Sequence, residues 1–155
     1  MKRLFILLFA AALIPLWAAD PPGFNHWAGK TLKDYGKTLA PKMTAQKVAT
    51  ENLANYGNHS LMVAYREGSG EAELHENQSD VFIVQSGQAI LMVGGTVVGG
   101  RTTAPGEIRG TSISGGEKKQ LSVGDIVHIP ARVPHQVLLE GGGQFTYVVV
   151  KVDSK

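Results

Sequence analysis

From His59 onward the chain alternates in the manner of β-structure. Leu61, Val63 and Tyr65 interleave with Met62, Ala64 and Arg66. Short apolar runs follow at Val81–Val84, Ala89–Val93, Ile126–Ile129, Val137–Leu139 and Phe145–Val150. Residues i and i+2 of a strand share a face, so these runs predict half-buried or fully buried strands. Glycine separates them, with 15 of the 19 glycines lying between positions 68 and 143. Short strands at close spacing with turn residues between them predict an all-β sandwich or small barrel.

Residues 20–58 follow another pattern. Pro21-Pro22-Gly23 opens an irregular arm carrying Phe24, Trp27 and Tyr35. Pro41 through Asn55 reads as a short helix, with Pro41 in its first turn and Gly57 closing it. The stretch before Asp20 differs again. Lys2 and Arg3 precede the apolar run Leu4–Trp17, and Ala18-Ala19-Asp20 stands behind it, the order of a secretory signal peptide. The run falls short of the roughly 20 residues that span a bilayer, and Pro15 interrupts it. The expected organisation is a signal peptide over 1–19, an arm and helix over 20–58, and one β domain over 59–152. Such a protein is exported, to a periplasm or beyond the cell, and keeps no membrane span after cleavage.

Composition narrows the chemistry. The 155 residues include no cysteine, which excludes disulfides, thiolate metal sites and cysteine nucleophiles. The formal charge of +2 counts Lys2 and Arg3; without them thirteen basic residues face 13 acidic ones. A neutral chain has no general attraction for phosphate backbones, so no nucleic-acid partner is expected.

Two polar clusters stand out. Glu73-Leu74-His75 places two ligand-type side chains on one strand face, and Asp80 follows across a turn at Asn77-Gln78-Ser79. The second cluster runs from Gly124-Asp125 through His128 and Pro130 to Val133-Pro134-His135. Two imidazoles and one or two carboxylates from neighbouring strands make a mixed nitrogen–oxygen site for a divalent metal, Mn or Fe first, Ni or Zn as alternatives. His128 alternates with Val127 and Ile129 and faces away from them.

Both clusters resemble the two motifs of the cupin superfamily. In the first motif, His75 stands at the second histidine, four residues precede Asp80, and six more lead to Gly87, while Gly68 is one place off the motif's opening glycine. In the second, Gly124, five residues, Pro130, Ala131, Arg132, two residues and His135 keep the family spacing, with Arg132 at a glycine position. The resemblance covers about residues 59–150. It implies a double-stranded β-helix barrel, here with an N-terminal arm and short helix, and a metal held by Glu73, His75, Asp80 and His135. Glu73 replaces a histidine, Asp80 replaces a glutamate, and Leu139 stands where asparagine is common. Two geometries are open: all four bind, or His75, His135 and one carboxylate form a facial triad and the other carboxylate acts as general base. Glu73 is the candidate catalytic carboxylate.

By the same resemblance the chain is a metalloenzyme, a dioxygenase-type oxidoreductase or an isomerase, on a small oxygenated molecule such as a hydroxy or keto acid, phenol or sugar derivative. The alternative is a non-catalytic module that captures a small ligand or sugar. His59, Arg101 and Arg109 are candidate substrate contacts, the arginines on a flap over Gly94–Gly116. A homodimer that partly buries Phe145–Val150 is a further expectation.

Overall fold

The computed structural model describes residues 19–154, so the expected signal segment up to residue 18 lies outside the described residues. Among the described residues thirteen strands follow one helix, α1 (Gly29–Leu39), which ends in a 3₁₀ turn over Ala40–Lys42. The first six strands are β1 (Val48–Asn55), β2 (His59–Arg66), β3 (Ala72–His75), β4 (Gln78–Gly87), β5 (Ala89–Val93) and β6 (Thr96–Val98). Next come β7 (Arg101–Ala104), β8 (Glu107–Gly110), β9 (Ser112–Ser114) and β10 (Glu117–Leu121). The chain closes with β11 (Ile126–Ile129), β12 (His135–Leu138) and β13 (Phe145–Asp153).

The strands form two opposed antiparallel sheets, ordered β1-β2-β13-β4-β11 and β10-β5-β12-β3-β8-β7, and a small β6-β9 ribbon. The inner faces of the two sheets enclose a core of Phe82, Val84, Leu91, Ile129, Phe145 and Tyr147. A second apolar layer covers the outer face of the first sheet, where Leu32, Tyr35 and Leu39 of α1 pack on Val63, Tyr65 and Val148. Each layer follows from period two. Odd positions of β13 enter the barrel and its even positions meet the helix.

The helix is not where Pro41–Asn55 predicted it. Lys47 adopts a left-handed backbone (φ 55°) that stops helical propagation, and Val48–Asn55 pairs along β2 as an edge strand. The helix instead uses Gly29–Leu39, within the stretch expected to be an irregular arm. Gly36 is what lets it approach, because an added Cβ would sit 3.2 Å from the Tyr65 ring. The rationale for a dimer through Phe145–Val150 also fails. That strand is hydrogen-bonded on both sides, to β2 and β4, and Phe145 through Val149 are buried within the chain.

One turn carries the second polar cluster into the barrel. Arg132 has φ 66° at the position where the resembled motif has glycine, and its N–H donates to the His75 carbonyl at 2.7 Å. This bond ties the β11–β12 turn to the end of β3, so the two clusters are fastened by backbone as well as by side chains. A left-handed backbone penalises branched side chains most and glycine least. Arg132→Ile is therefore expected to lower stability by about 1–2 kcal/mol, a melting-temperature fall of a few degrees. Arg132→Gly should be neutral or stabilising, and calorimetry of the pair checks it.

Candidate metal centre

The centre is assembled from cross-strand neighbours. Glu73 and His75 share one face of β3, and the register sets Glu73 opposite both Arg109 of β8 and His135 of β12. His75 lies opposite Glu107, and Asp80 of β4 lies opposite Lys151 of β13. Antiparallel partners hold their Cβ atoms about 5 Å apart, so each pairing delivers two functional groups to one place. His75, Asp80 and His135 are each only 2% exposed.

The hydrogen bonds orient both imidazoles. Nδ1 of His135 donates to the Val133 carbonyl at 3.1 Å, which leaves the Nε2 lone pair facing inward. That Nε2 is buried without a hydrogen-bond partner and stands 3.5 Å from Asp80 Oδ2. Nδ1 of His75 donates to both oxygens of Glu107 at 2.8 Å. Its Nε2 faces Asp80 Oδ2 at 3.3 Å, Glu73 Oε2 at 3.5 Å and the Lys151 ammonium at 3.1 Å. One ligand atom each from Glu73, His75 and His135 lies within 4.8 Å of the others, a set that can hold one metal ion. A buried imidazole nitrogen with no partner beside a carboxylate is what such a cation would satisfy. The Glu107 contact to His75 is the orienting carboxylate that metal-binding histidines commonly carry.

Cations ring the carboxylates. Arg66 Nη2 approaches Glu73 Oε1 at 3.6 Å, and Arg109 Nη2 approaches Glu73 Oε2 at 3.5 Å and Glu107 Oε2 at 2.9 Å. Arg66 Nε also donates to the Tyr147 hydroxyl at 2.9 Å. Burial alone would raise the pKa of Glu73, but the His75 contact and the neighbouring Arg109, His135 and Arg66 side chains bring it down to about 2. Burial likewise opposes ionisation of Asp80, and its two imidazole neighbours and Lys151 hold it far below the usual carboxylate range. At His75, burial and the Lys151 ammonium favour the neutral ring, while Asp80 and Glu73 draw positive charge toward Nε2 and raise its pKa, a charge that Lys151 supplies here. Nε2 is thus a strongly cation-seeking atom. With Nδ1–H given to Glu107 and an ammonium placed against Nε2, the ring that satisfies every contact is neutral and accepts from Lys151.

The expected residues divide. Glu73, His75, Asp80 and His135 converge, and Glu73, Asp80 and His135 line, with Arg109, a cavity of about 180 Å³. His59 does not. It stacks on Tyr56 at 4.8 Å and contacts Asn58, because β2 sends Met62, Ala64 and Arg66 to the cavity and turns Val63 and Tyr65 toward α1. Arg101 is also outside, exposed and paired with Glu71 at 2.8 Å. It borders a larger recess of about 480 Å³ on the outer face of β3, where no acid or imidazole lines the wall. His128 is exposed on β11, as its alternation predicts. Arg66, Glu107, Tyr147 and Lys151 were not identified as site residues from the sequence; for Lys151 the signal was its parity with Phe145, Tyr147 and Val149.

Because folding lowers the pKa of Glu73 and Asp80, both carboxylates stabilise the fold above their ordinary values of 4.5 and 3.8. That contribution drains away as pH falls through this range toward 2. The chelator-treated protein should hold a steady melting temperature from pH 7 to about 5 and lose it steeply below 4.5. Asp80→Asn should melt lower at pH 7 and show a shallower acid slope. An equally steep slope in the variant would show that Asp80 is not among the groups responsible.

No family model matches the sequence, and no curated protein does. Solved structures do match in shape. A protein with a double-stranded β-helix domain from Klebsiella pneumoniae is 16% identical with a TM-score of 0.56, over 77% of this chain and 88% of that one. A cupin-2 domain from Rhodospirillum rubrum is 15% identical with a TM-score of 0.52, over 71% and 64% of the two chains. KdgF from a Halomonas species is 16% identical with a TM-score of 0.51, over 70% and 82%. With its paired antiparallel sheets and these neighbours, the chain has the double-stranded β-helix fold of the cupin superfamily.

Proposed function

We propose that this chain is a metal-dependent enzyme acting on a small oxygenated organic acid inside the barrel. The observation that carries the reading is the buried Nε2 of His135, unpartnered and aimed at Asp80 beside Glu73 and His75. Glu73, His75 and His135 would hold the metal, with Asp80 beside them as the fourth candidate. The nitrogen–oxygen donor set suits Mn or Fe(II). Once bound, such an ion supplies Lewis acidity toward a chelating oxygen and, as Fe(II), access to dioxygen.

The chain's own residues describe the ligand. The cavity of about 180 Å³ is below the range usual for drug-sized molecules, so a few heavy atoms fill it. Three carboxylates (Glu73, Asp80, Glu107) face three cations (Arg66, Arg109, Lys151), and a divalent metal would leave the centre positive. An anion restores the balance. Arg109 and Arg66 border the cavity, and guanidinium groups match carboxylates in geometry and charge, which favours hydroxy or keto acids over neutral phenols and sugars. Glu73 is anionic across the neutral range, the form that a metal ligand and a proton acceptor must both have.

Among the described residues no helix is long and apolar enough to cross a membrane. Export belongs to the proposal through the Lys2-Arg3 head and the Leu4–Trp17 run, and N-terminal sequencing of the secreted fraction tests it.

Elemental analysis of the purified protein should find about one Mn or Fe per chain, and His135→Ala should lose it. Small 2-hydroxy and 2-keto acids should raise the melting temperature of the metal-loaded protein only, and the protein should turn over at least one of them. Ligand stabilisation that survives His135→Ala and chelation would instead mark a non-catalytic binding module.

A further inference from the structure

Lys151 stands where the donors converge. Its Nζ lies 3.1 Å from His75 Nε2 and 3.0 and 3.2 Å from the two oxygens of Asp80. The placement is set by the strand. Phe145, Tyr147 and Val149 enter the barrel at alternate positions of β13, and Lys151 is the next residue of that series, directly across from Asp80. Buried apolar neighbours therefore fix the direction of the stem, and the ammonium ends among two of the four candidate ligands.

His75 Nε2 has one lone pair. With Nδ1–H committed to Glu107, that lone pair can accept from an ammonium or ligate a metal, and it cannot do both. The same ammonium neutralises Asp80, the carboxylate that would otherwise add its charge to the metal site. The Lys151 side chain is 21% exposed and lines the cavity, so its head group has room to withdraw.

We infer that Lys151 is a resident cation of this site, which a divalent metal must displace in order to bind. The inference rests on the metal-dependent reading of the centre. In the metal-free chain the ammonium keeps the buried carboxylate of Asp80 compensated and the barrel folded. On metal binding it swings into the cavity and joins Arg66 and Arg109 as a third cation facing the anionic ligand. Lys151 thereby weakens metal affinity below what four donors alone would give, and couples metal occupancy to the charge of the ligand pocket.

Calorimetric titration of Mn²⁺ into chelator-stripped wild type, Lys151→Met and Lys151→Gln tests this. Both variants should bind Mn²⁺ roughly tenfold or more tightly than wild type, the order of effect of one charge at a partly buried site. Stripped of metal, both should melt below wild type and gain more from Mn²⁺. The glutamine variant, able to hydrogen-bond Asp80, carries the test if the methionine variant does not fold. Affinity equal to or weaker than wild type in the variants overturns the inference and leaves the metal-dependent reading standing. Binding by the variants but not by wild type overturns both, since Lys151 would then occupy the site permanently instead of yielding to the metal. No binding by any of the three overturns both.

Discussion

Two imidazoles with ring centres 5.2 Å apart are buried in an apolar barrel with the Asp80 carboxylate and the half-buried Glu73, and the rest of the site follows from compensating them. An isolated carboxylate in such surroundings would not stay charged. Glu73 and Asp80 each have an answering cation delivered by the neighbouring strand, Arg109 for Glu73 and Lys151 for Asp80, and His75 Nδ1–H donates to Glu107. The one buried polar group of the cluster left without an answer is Nε2 of His135. A cation at that point would complete the arrangement.

Packing keeps the arrangement in place. Phe82 and Phe145 each pack tilted against Tyr147 at centroid separations of 4.9 Å, and Phe82 meets His135 in an edge-on contact at 6.0 Å. Aromatic layers of this kind resist rearrangement, because an interior at close packing has few alternative fits. Tyr147 also links this layer to the charged rim through Arg66. At Gly87 the fit is tightest, where φ is 78° and an added Cβ would overlap the Gln144 carbonyl oxygen. The β4–β13 pairing that carries Asp80 to Lys151 thus depends on a residue without a side chain.

Much of this was legible in the sequence. The two-residue spacing of Glu73 and His75 placed both on one face, and the Gly124–His135 segment, through its resemblance to the second cupin motif, implied a second imidazole at the same place. Parity alone failed for β2. Val63 and Tyr65 are as apolar as Met62 and Ala64 because both faces of that strand are covered, one by the opposite sheet and one by α1. With no polar face to mark the outside, His59 reads as a candidate substrate contact, and Arg66 goes unnoticed. Lys151 was hidden similarly, at the end of an apolar run whose faces both read as core. Glu107 and Arg109 reach the site through the pairing of β8 with β3, and such register is set by long-range contacts that local spacing does not encode.

Pulsed electron paramagnetic resonance of the Mn²⁺-loaded protein examines the shared cation most directly. The account requires couplings to two imidazole nitrogens, one lost in His75→Ala and the other in His135→Ala. A bound Mn²⁺ that shows no imidazole coupling, or keeps both couplings in either variant, would mean that these two rings do not share a cation.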